Sequence, residues 1–505
     1  MLRLALGRVW PVAAAGAGGA SIFLAGPDFD YWWLAWLSLL PLLWAMRGAS
    51  PRRAAFLGFV AGFCCNAGGF YWVVGLLERF GGLPLPIGVL LWFLISAYQA
   101  LVFVAWAWVM VRLRSRPAVW VAPVAMVALE LCVPFLFPWY MGVTQAWQPR
   151  VIQITEFSGL LGVTFLLAMV AGALFDLCDR GRRAWGSAAT AAVVVTAALG
   201  FGALRLGQID ARRRAAPKLR VGLVQANLGI REKVSAELAA RHLRVHQAET
   251  RDLERRGAEL VVWPESAYPY SLPRPVERDL PARNPLRVMR DIGVPVLFGA
   301  LTRDPRDAVY NSALLMLPDG RVTGSYDKNF LLLFGEYVPF YEELRVERWL
   351  PAASNFRRGD TVTTMPLGEH KIGPLICYED ILPSFGRRLV KLRPNLLVNI
   401  TNDAWFGRTS EPHQHLALSV FRSVEARLDL VRAVNTGVSA FVDAGGRVLW
   451  RGPLVDPQVD PAEPVTALRE VALLEPAMLY ARIGDVFGWA CALTLGVWLW
   501  RARRG

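Results

Sequence analysis

Apolar runs long enough to cross a bilayer crowd the first 205 residues, and a different rhythm follows them. A helix needs about 20 apolar residues to span a hydrocarbon core about 30 Å thick. Seven stretches approach that length: Val9–Gly26, Phe29–Met46, Ala54–Leu77, Leu85–Val111, Ala118–Phe137, Phe157–Phe175 and Ala184–Leu204. An eighth, Ile483–Trp500, closes the chain. Val9–Gly26 also has the layout of a signal peptide, although a retained span suits the charge pattern of the loops better. Between 217 and 478 the period shortens. Leu219–Ala226, Glu259–Trp263, Val294–Ala300, Ser312–Leu317, Lys371–Cys377 and Asn395–Ile400 read as strands; Ser235–Arg256, Asn284–Asp291, Leu382–Leu392 and His413–Asp429 read as helices. Strands that are continuously apolar belong to a sheet covered by helices. Pro318-Asp319-Gly320 and Ala444-Gly445-Gly446 carry hairpin signals, which makes part of the sheet antiparallel. The expected organisation is a transmembrane bundle over 1–205, an α/β domain over 217–478, and a closing span with its tail over 483–505.

Charge orients this layout. Arg3 and Arg8 precede the first span, and no Lys or Arg follows it before the second. Then come Arg47, Arg52 and Arg53; Arg79 alone; Arg112, Arg114 and Arg116; Arg150 alone; and Arg180, Arg182 and Arg183. Arg501, Arg503 and Arg504 end the chain. Basic and basic-poor loops alternate, so both termini are expected in the cytoplasm and the α/β domain on the outer face of the membrane. Arg212–Arg214 is a local exception. With 54% hydrophobic residues and 20 tryptophans, an ordinary soluble protein is excluded. The formal charge of +14 sits largely in these loops, and zinc-finger, Walker and RNA-binding signatures are missing from the sequence, which argues against a nucleic-acid partner.

Cys377 is the one cysteine between 217 and 478; Cys64, Cys65, Cys132, Cys178 and Cys491 lie in or beside apolar segments. Such a thiol is either inert core or a nucleophile. Glu265 follows the run Leu260-Val261-Val262-Trp263, Lys328 follows a hairpin strand, and Cys377 ends its own strand. Strand ends of α/β sheets are where ligands bind. A cysteine before a helix is expected to have its thiolate favoured by the helix dipole and a nearby cation. Glu265 would take the thiol proton, and Lys328 with a backbone N–H near Tyr378 would stabilise a tetrahedral oxyanion. A lone Glu or Lys at a strand end is more often a solvated surface residue, so spacing alone leaves both readings open. His413 and His415 offer rivals, a metal site or a papain-like Cys–His pair. A third ligand at recognisable spacing is missing, and a Cys–His pair would leave Glu265 and Lys328 without roles.

Taken together, Trp263-Pro264-Glu265, Tyr326-Asp327-Lys328, Phe334-Gly335-Glu336-Tyr337-Val338-Pro339 and Cys377-Tyr378-Glu379 resemble the Glu-Lys-Cys constellation of the nitrilase superfamily. Asn399 to Phe406 and Arg432 to Gly437 add to the likeness. Within that superfamily, the Phe334–Pro339 block and the eight-span frame are similar to the bacterial apolipoprotein N-acyltransferase family. The resemblance implies an αββα sandwich attached to the membrane bundle, with Glu265, Lys328 and Cys377 catalytic and Glu336, Tyr378 and Glu379 supporting. It implies a ping-pong reaction: Cys377 takes the sn-1 acyl chain of a membrane phospholipid as a thioester, and the free amine of a diacylglyceryl-cysteine apolipoprotein receives it. No metal or organic cofactor is implied. Family members carry His-Leu-Val-Pro where this chain has Phe330-Leu331-Leu332-Leu333, and a tryptophan where Val234 follows Lys233. These departures touch lid behaviour and donor preference rather than the reaction class. Apolar Phe330 to Phe334 either line the site or are core. Two rivals stand beside the acyltransferase: a membrane-tethered nitrilase-like amidohydrolase and a catalytically silent membrane scaffold. Retention of all three chemical residues argues against the scaffold, and eight spans argue against a mere tether.

Overall fold

The computed structural model describes residues 2–229, 236–332, 335–338, 355–457, 459 and 462–504. The expectations for Lys233, Val234, Ser235, Leu333, Phe334 and Pro339 fall outside them. The chain divides into two compact units: Met1–Glu78 with Leu83–Gly207 and Ile483–Gly505, and Arg79–Gly82 with Gln208–Arg482.

The first unit is helical. Two helical stretches among the described residues are long and apolar enough to cross a bilayer, Leu85–Arg112 and Leu161–Ala215, and a third exists if Pro51–Gly69 and Trp72–Arg79, bent by 49°, count as one. The second stretch folds back on itself after Leu161–Arg180, so that Ser187 donates to Asp176 at 3.0 Å, Phe157 meets Phe201, and Arg205 pairs with Glu156 at 2.5 Å. Shorter apolar helices include Ala118–Cys132, and Val486–Arg504 closes the unit. Small residues let helices meet closely. A Cβ on Gly172 would stand 2.4 Å from the Ala118 carbonyl oxygen. Phe29–Met46 is not one helix: a 3-10 turn, Trp32–Trp36, precedes a seven-residue helix, Leu39–Ala45. Gln145 explains the break. Its amide donates to the Trp32 carbonyl at 2.9 Å and accepts from the Trp36 indole at 3.2 Å, so side-chain bonds replace part of the helical ladder.

The second unit is built on two sheets. β1 (Lys218–Gln225), β2 (Leu260–Val262), β3 (Tyr268–Pro273), β4 (Val296–Arg303), β5 (Val309–Met316), β6 (Val322–Asp327) and β13 (Val465–Ala472) make the first, in the order β13-β1-β2-β4-β5-β6, with β3 also on β4. β7 (Met365–Leu367), β8 (His370–Ile376), β9 (Leu396–Thr401), β10 (Leu430–Val434), β11 (Ala440–Val442) and β12 (Val448–Arg451) make the second, in reverse order from β12 to β7. Each sheet has three parallel strands at its centre, β1-β2-β4 and β8-β9-β10, flanked by antiparallel pairs. Both expected hairpins form, β5–β6 and β11–β12. The central strands β2, β4, β9 and β10 are buried almost throughout, as continuous apolar runs require, while the outer strands β6 and β12 are half-exposed. Helix Ala236–Arg255 packs on the first sheet, where Trp263 donates its indole N–H to Thr250 at 2.8 Å. Helices Pro383–Val390 and Glu411–Ala426 lie with the second. The result is an αββα sandwich.

One expected helix does not form. Asn284–Asp291 is a chain of turns wrapped around the Asp279 carboxylate, which accepts from the backbone N–H groups of Leu280, Val288 and Met289 at 2.7 to 3.0 Å. Asn284 accepts from Leu286 N–H in the same way. Such side-chain acceptors compete directly with helical hydrogen bonds.

Candidate active site

Glu265 leaves the sheet three residues beyond β2, on a turn that passes directly over β4. Only a glycine lets it pass: a Cβ on Gly299 would lie 2.5 to 2.8 Å from the backbone of Pro264, Glu265 and Ser266. The Gly299 N–H instead donates to the Pro264 carbonyl at 3.1 Å. Lys328 sits one residue past β6, where its own N–H continues the β5 ladder by donating to Asn311 at 2.8 Å. Its side chain is fully buried, an environment a lysine tolerates only with anionic partners. Those partners are Glu336, 2.7 Å from Nζ, and Glu265, 3.4 Å from it.

Asn311 joins the two carboxylates. Its amide donates to Glu265 Oε1 at 2.6 Å and to Glu336 Oε1 at 2.8 Å, while Glu336 Oε2 also accepts from Leu332 N–H at 2.9 Å. One ammonium is thus shared unequally. Glu336 takes the shorter contact, and burial, with Lys328 opposing it and Glu336 adding to it, pushes Glu265 above the usual carboxylate range. Burial works against the Lys328 ammonium, yet Cys377, Glu265 and Glu336 outweigh it and lift its pKa well above the lysine value.

Cys377 ends β8 and opens a 3-10 turn, Cys377–Ile381. Its φ of +52° is left-handed, a conformation that costs an L residue about 1–3 kcal/mol. Glu379 holds the turn. Its buried carboxylate accepts from Ile376 N–H at 2.9 Å, from the Tyr326 hydroxyl at 2.6 Å, and from the N–H groups of Asn329 at 2.6 Å and Phe330 at 3.2 Å. One side chain therefore ties the cysteine turn to the segment carrying Lys328. Burial raises Glu379 to about 7 despite these bonds. The thiol differs from its expected state: burial lifts it well above the ordinary cysteine value, Lys328 pulls it back, and Glu265, Glu336 and Asp403 push it further up. The expected lowering of the thiol is therefore not seen: desolvation and the nearby carboxylates outweigh Lys328. Tyr378 is half-buried beside it.

Behind the turn lies a second cluster that the sequence did not assign. Asp380 accepts from Arg432 at 2.6 Å, from His415 Nε2 at 2.9 Å and from the Ser419 hydroxyl. Arg432 also reaches Asp403 at 3.1 Å and donates to Asn399 Oδ1 at 2.7 Å. Asn399 in turn donates to the carbonyls of Leu375 and Cys377, both at 3.4 Å. His415 Nδ1 lies 3.3 Å from Asp403, so the imidazole is held between two carboxylates rather than acting as a base for Cys377. Asp403, Glu411 and His415 do group like metal ligands, within 4.8 Å of one another. Burial and Arg432 are outweighed by Asp380 and Asp403, which lift His415 to about 10, and burial lifts Glu411 to about 8. Asn399, Asp403 and Arg432 stood in quoted motifs; only their convergence reveals their work. Asn311 had no signal beyond a polar residue in an apolar strand. Phe330 stacks edge-on against Phe385 at 5.8 Å, which favours core over lining for that residue.

An αββα sandwich with a carboxylate, an ammonium and a thiol gathered at its strand ends defines a carbon–nitrogen hydrolase domain, and residues 220–459 match the family described as carbon-nitrogen hydrolase. Residues 18–173 match the apolipoprotein N-acyltransferase N-terminal domain. The chain belongs to the apolipoprotein N-acyltransferase family. It is 35% identical to the apolipoprotein N-acyltransferase of Geobacter metallireducens, over 91% of this chain and 88% of that one. Its identity to the Azotobacter vinelandii protein of the same name is 34%, over 86% of each. Nit3 of Saccharomyces cerevisiae, a member of branch 10 of the nitrilase superfamily, aligns over 53% of this chain and 94% of its own at 18% identity and TM-score 0.37.

Proposed function

We propose that this protein is an acyltransferase that completes lipoprotein maturation by passing the sn-1 acyl chain of a phospholipid to the N-terminal amine of diacylglyceryl-cysteine apolipoproteins. The observation that carries the reading is Lys328, fully buried and ion-paired with both Glu265 and Glu336. Glu265 takes the thiol proton as Cys377 attacks the ester carbonyl. The S–C bond forms, Lys328 and a backbone N–H near Tyr378 stabilise the oxyanion, and the C–O bond breaks as Glu265 returns the proton to the departing lysophospholipid. The lipoprotein amine then attacks the thioester; the C–N bond forms, the C–S bond breaks, and the thiol recovers its proton. Glu336 and Glu379 hold Lys328 and the cysteine turn in place. The reaction needs no cofactor.

The same reading assigns eight spans, with the domains divided at 205, 217, 478 and 483 as the hydropathy indicates, both termini cytoplasmic and the catalytic domain on the outer face. Burying a chain of roughly fifteen methylenes in lipid is worth about 12 kcal/mol, so both substrates stay in the membrane and the site works at its surface.

Purified full-length protein incubated with labelled phospholipid should form a hydroxylamine-sensitive acyl adduct on Cys377, discharged by a diacylglyceryl peptide with a free N-terminus. Cys377→Ala should abolish the adduct. Lys328→Met should slow its formation by about 100-fold or more while the protein stays folded. Discharge by water as fast as by the peptide would establish the amidohydrolase instead; no adduct at all would leave a scaffold.

A further inference from the structure

The arginines after Leu39–Ala45, after Leu101–Arg112 and at the end of Leu161–Arg180 converge at one end of the helical unit. They surround a cavity of about 240 Å³. Arg47, Arg114, Arg116 and Arg180 line it, with Asp176 and Asp179 as its only carboxylates. Asp176 is spent on structure: it accepts from Ala118 N–H, Val119 N–H and Ser187, each at 3.0 Å. Asp179 is paired with Arg47 at 2.7 Å. Arg180 ties the rim by donating to the carbonyls of Arg114 and Arg116 at 3.3 and 3.4 Å, and Arg116 lies over the Trp498 ring at 5.1 Å. Four guanidiniums face two carboxylates, leaving two positive charges uncompensated. The deeper wall is apolar, formed by Leu43, Val111, Val121 and Phe175.

Topology signals alone require arginines in these loops, but neither a cavity nor a ladder of bonds joining the loops around it. Uncompensated guanidiniums above an apolar wall, at helix ends that the proposed orientation puts at the cytoplasmic surface, match an amphiphile with an anionic head. Basic pockets between spans on the cytoplasmic side are where such head groups bind.

We propose that this cavity binds an anionic phospholipid, its phosphodiester among Arg114, Arg116 and Arg180 and the start of an acyl chain along Val111, Val121 and Phe175. The site is independent of Cys377 and of the acyl-donor reading. Full-length protein, delipidated in neutral detergent, is titrated with phosphatidylglycerol, with phosphatidylcholine and with inorganic phosphate, and bound lipid is counted by native mass spectrometry. Phosphatidylglycerol should bind about tenfold or more tightly than phosphatidylcholine, and inorganic phosphate should not displace it. The double change Arg114→Gln with Arg116→Gln should weaken phosphatidylglycerol about tenfold or more. Val111→Trp, which fills space and keeps every charge, should weaken it too. Arg52→Gln with Arg53→Gln, in the first turn of Pro51–Gly69 and outside the cavity lining, should leave it unchanged. Equal loss in the two arginine doubles would reduce the effect to surface charge and overturn the proposal, as would equal binding of both lipids or displacement by inorganic phosphate. Charge-keeping Arg114→Lys with Arg116→Lys guards against misfolding: it should retain the preference, and its loss there in folded protein would also overturn the site.

Discussion

Asn311 shows how much a single amide can decide. It donates to both Glu265 and Glu336, and its bond to Glu265 favours the ionised form. Asn311→Leu removes two hydrogen bonds to charged groups, each worth about 1.5–3 kcal/mol. The expected outcome is acylation of Cys377 slowed about 10-fold to 100-fold, the rate equivalent of about one such bond, read from single-turnover adduct formation. The acid limb of the rate profile should also move upward, because in the proposed mechanism Glu265 is ionised when it takes the thiol proton, and the variant loses a bond that keeps it so. In the parent protein that limb should already lie above the ordinary carboxylate range, since Glu265 is raised. His415 gives a second pH signature. Asp380, Asp403, Glu411 and Arg432 face it, and its pKa rises from 6.5 to about 10. A raised pKa means stability fully present below pH 6.5 and lost as pH climbs toward 10. Thermal unfolding of the full chain should therefore fall across that window, and His415→Gln should flatten the fall. An unchanged slope in the variant would contradict the assignment.

At the scale of elements, two turns do most of the positioning. The Pro264–Ser266 turn exists because Gly299 on β4 has no Cβ. Gly299→Ala would drive a methyl into backbone rather than into a yielding side chain, a strain of about 1–3 kcal/mol. It should move Glu265 off Lys328 and lower both melting temperature and adduct formation, whereas Gly368→Ala, at an open turn, should spare the adduct. Strand periodicity was legible because β2 is apolar throughout and β4, β8 and β9 are apolar over most of their length. The helix expected over Asn284–Asp291 was not, since its apolar spacing was genuine but the Asp279 carboxylate captures its N–H groups from outside the window. Phe29–Met46 failed as one helix for the same kind of reason, a distant Gln145 bonding to Trp32 and Trp36.

For the whole molecule, the proposed reaction confines both substrates to one bilayer. Protein reconstituted in vesicles should consume labelled donor from its own vesicles, while donor held in separate vesicles should stay untouched on the same timescale, because each chain would cost about 0.8 kcal/mol per methylene to extract. Equal use of both pools would refute lateral access. The division into an apolar helical unit and an α/β unit was readable from hydropathy and period alone, as were Glu265, Lys328 and Cys377 as candidates at strand ends. Those features depend on local composition, which a linear chain displays openly. The shared ammonium, the burial that raises the thiol and the carboxylate–imidazole–guanidinium cluster behind it were settled by the tertiary structure. Lys328 and Glu336, 63 and 71 positions beyond Glu265, act on it only once the sheet has folded and water has been excluded around them, and the same holds for the φ +52° turn at Cys377. Distance in space, and the dielectric that comes with burial, are properties no stretch of sequence carries by itself.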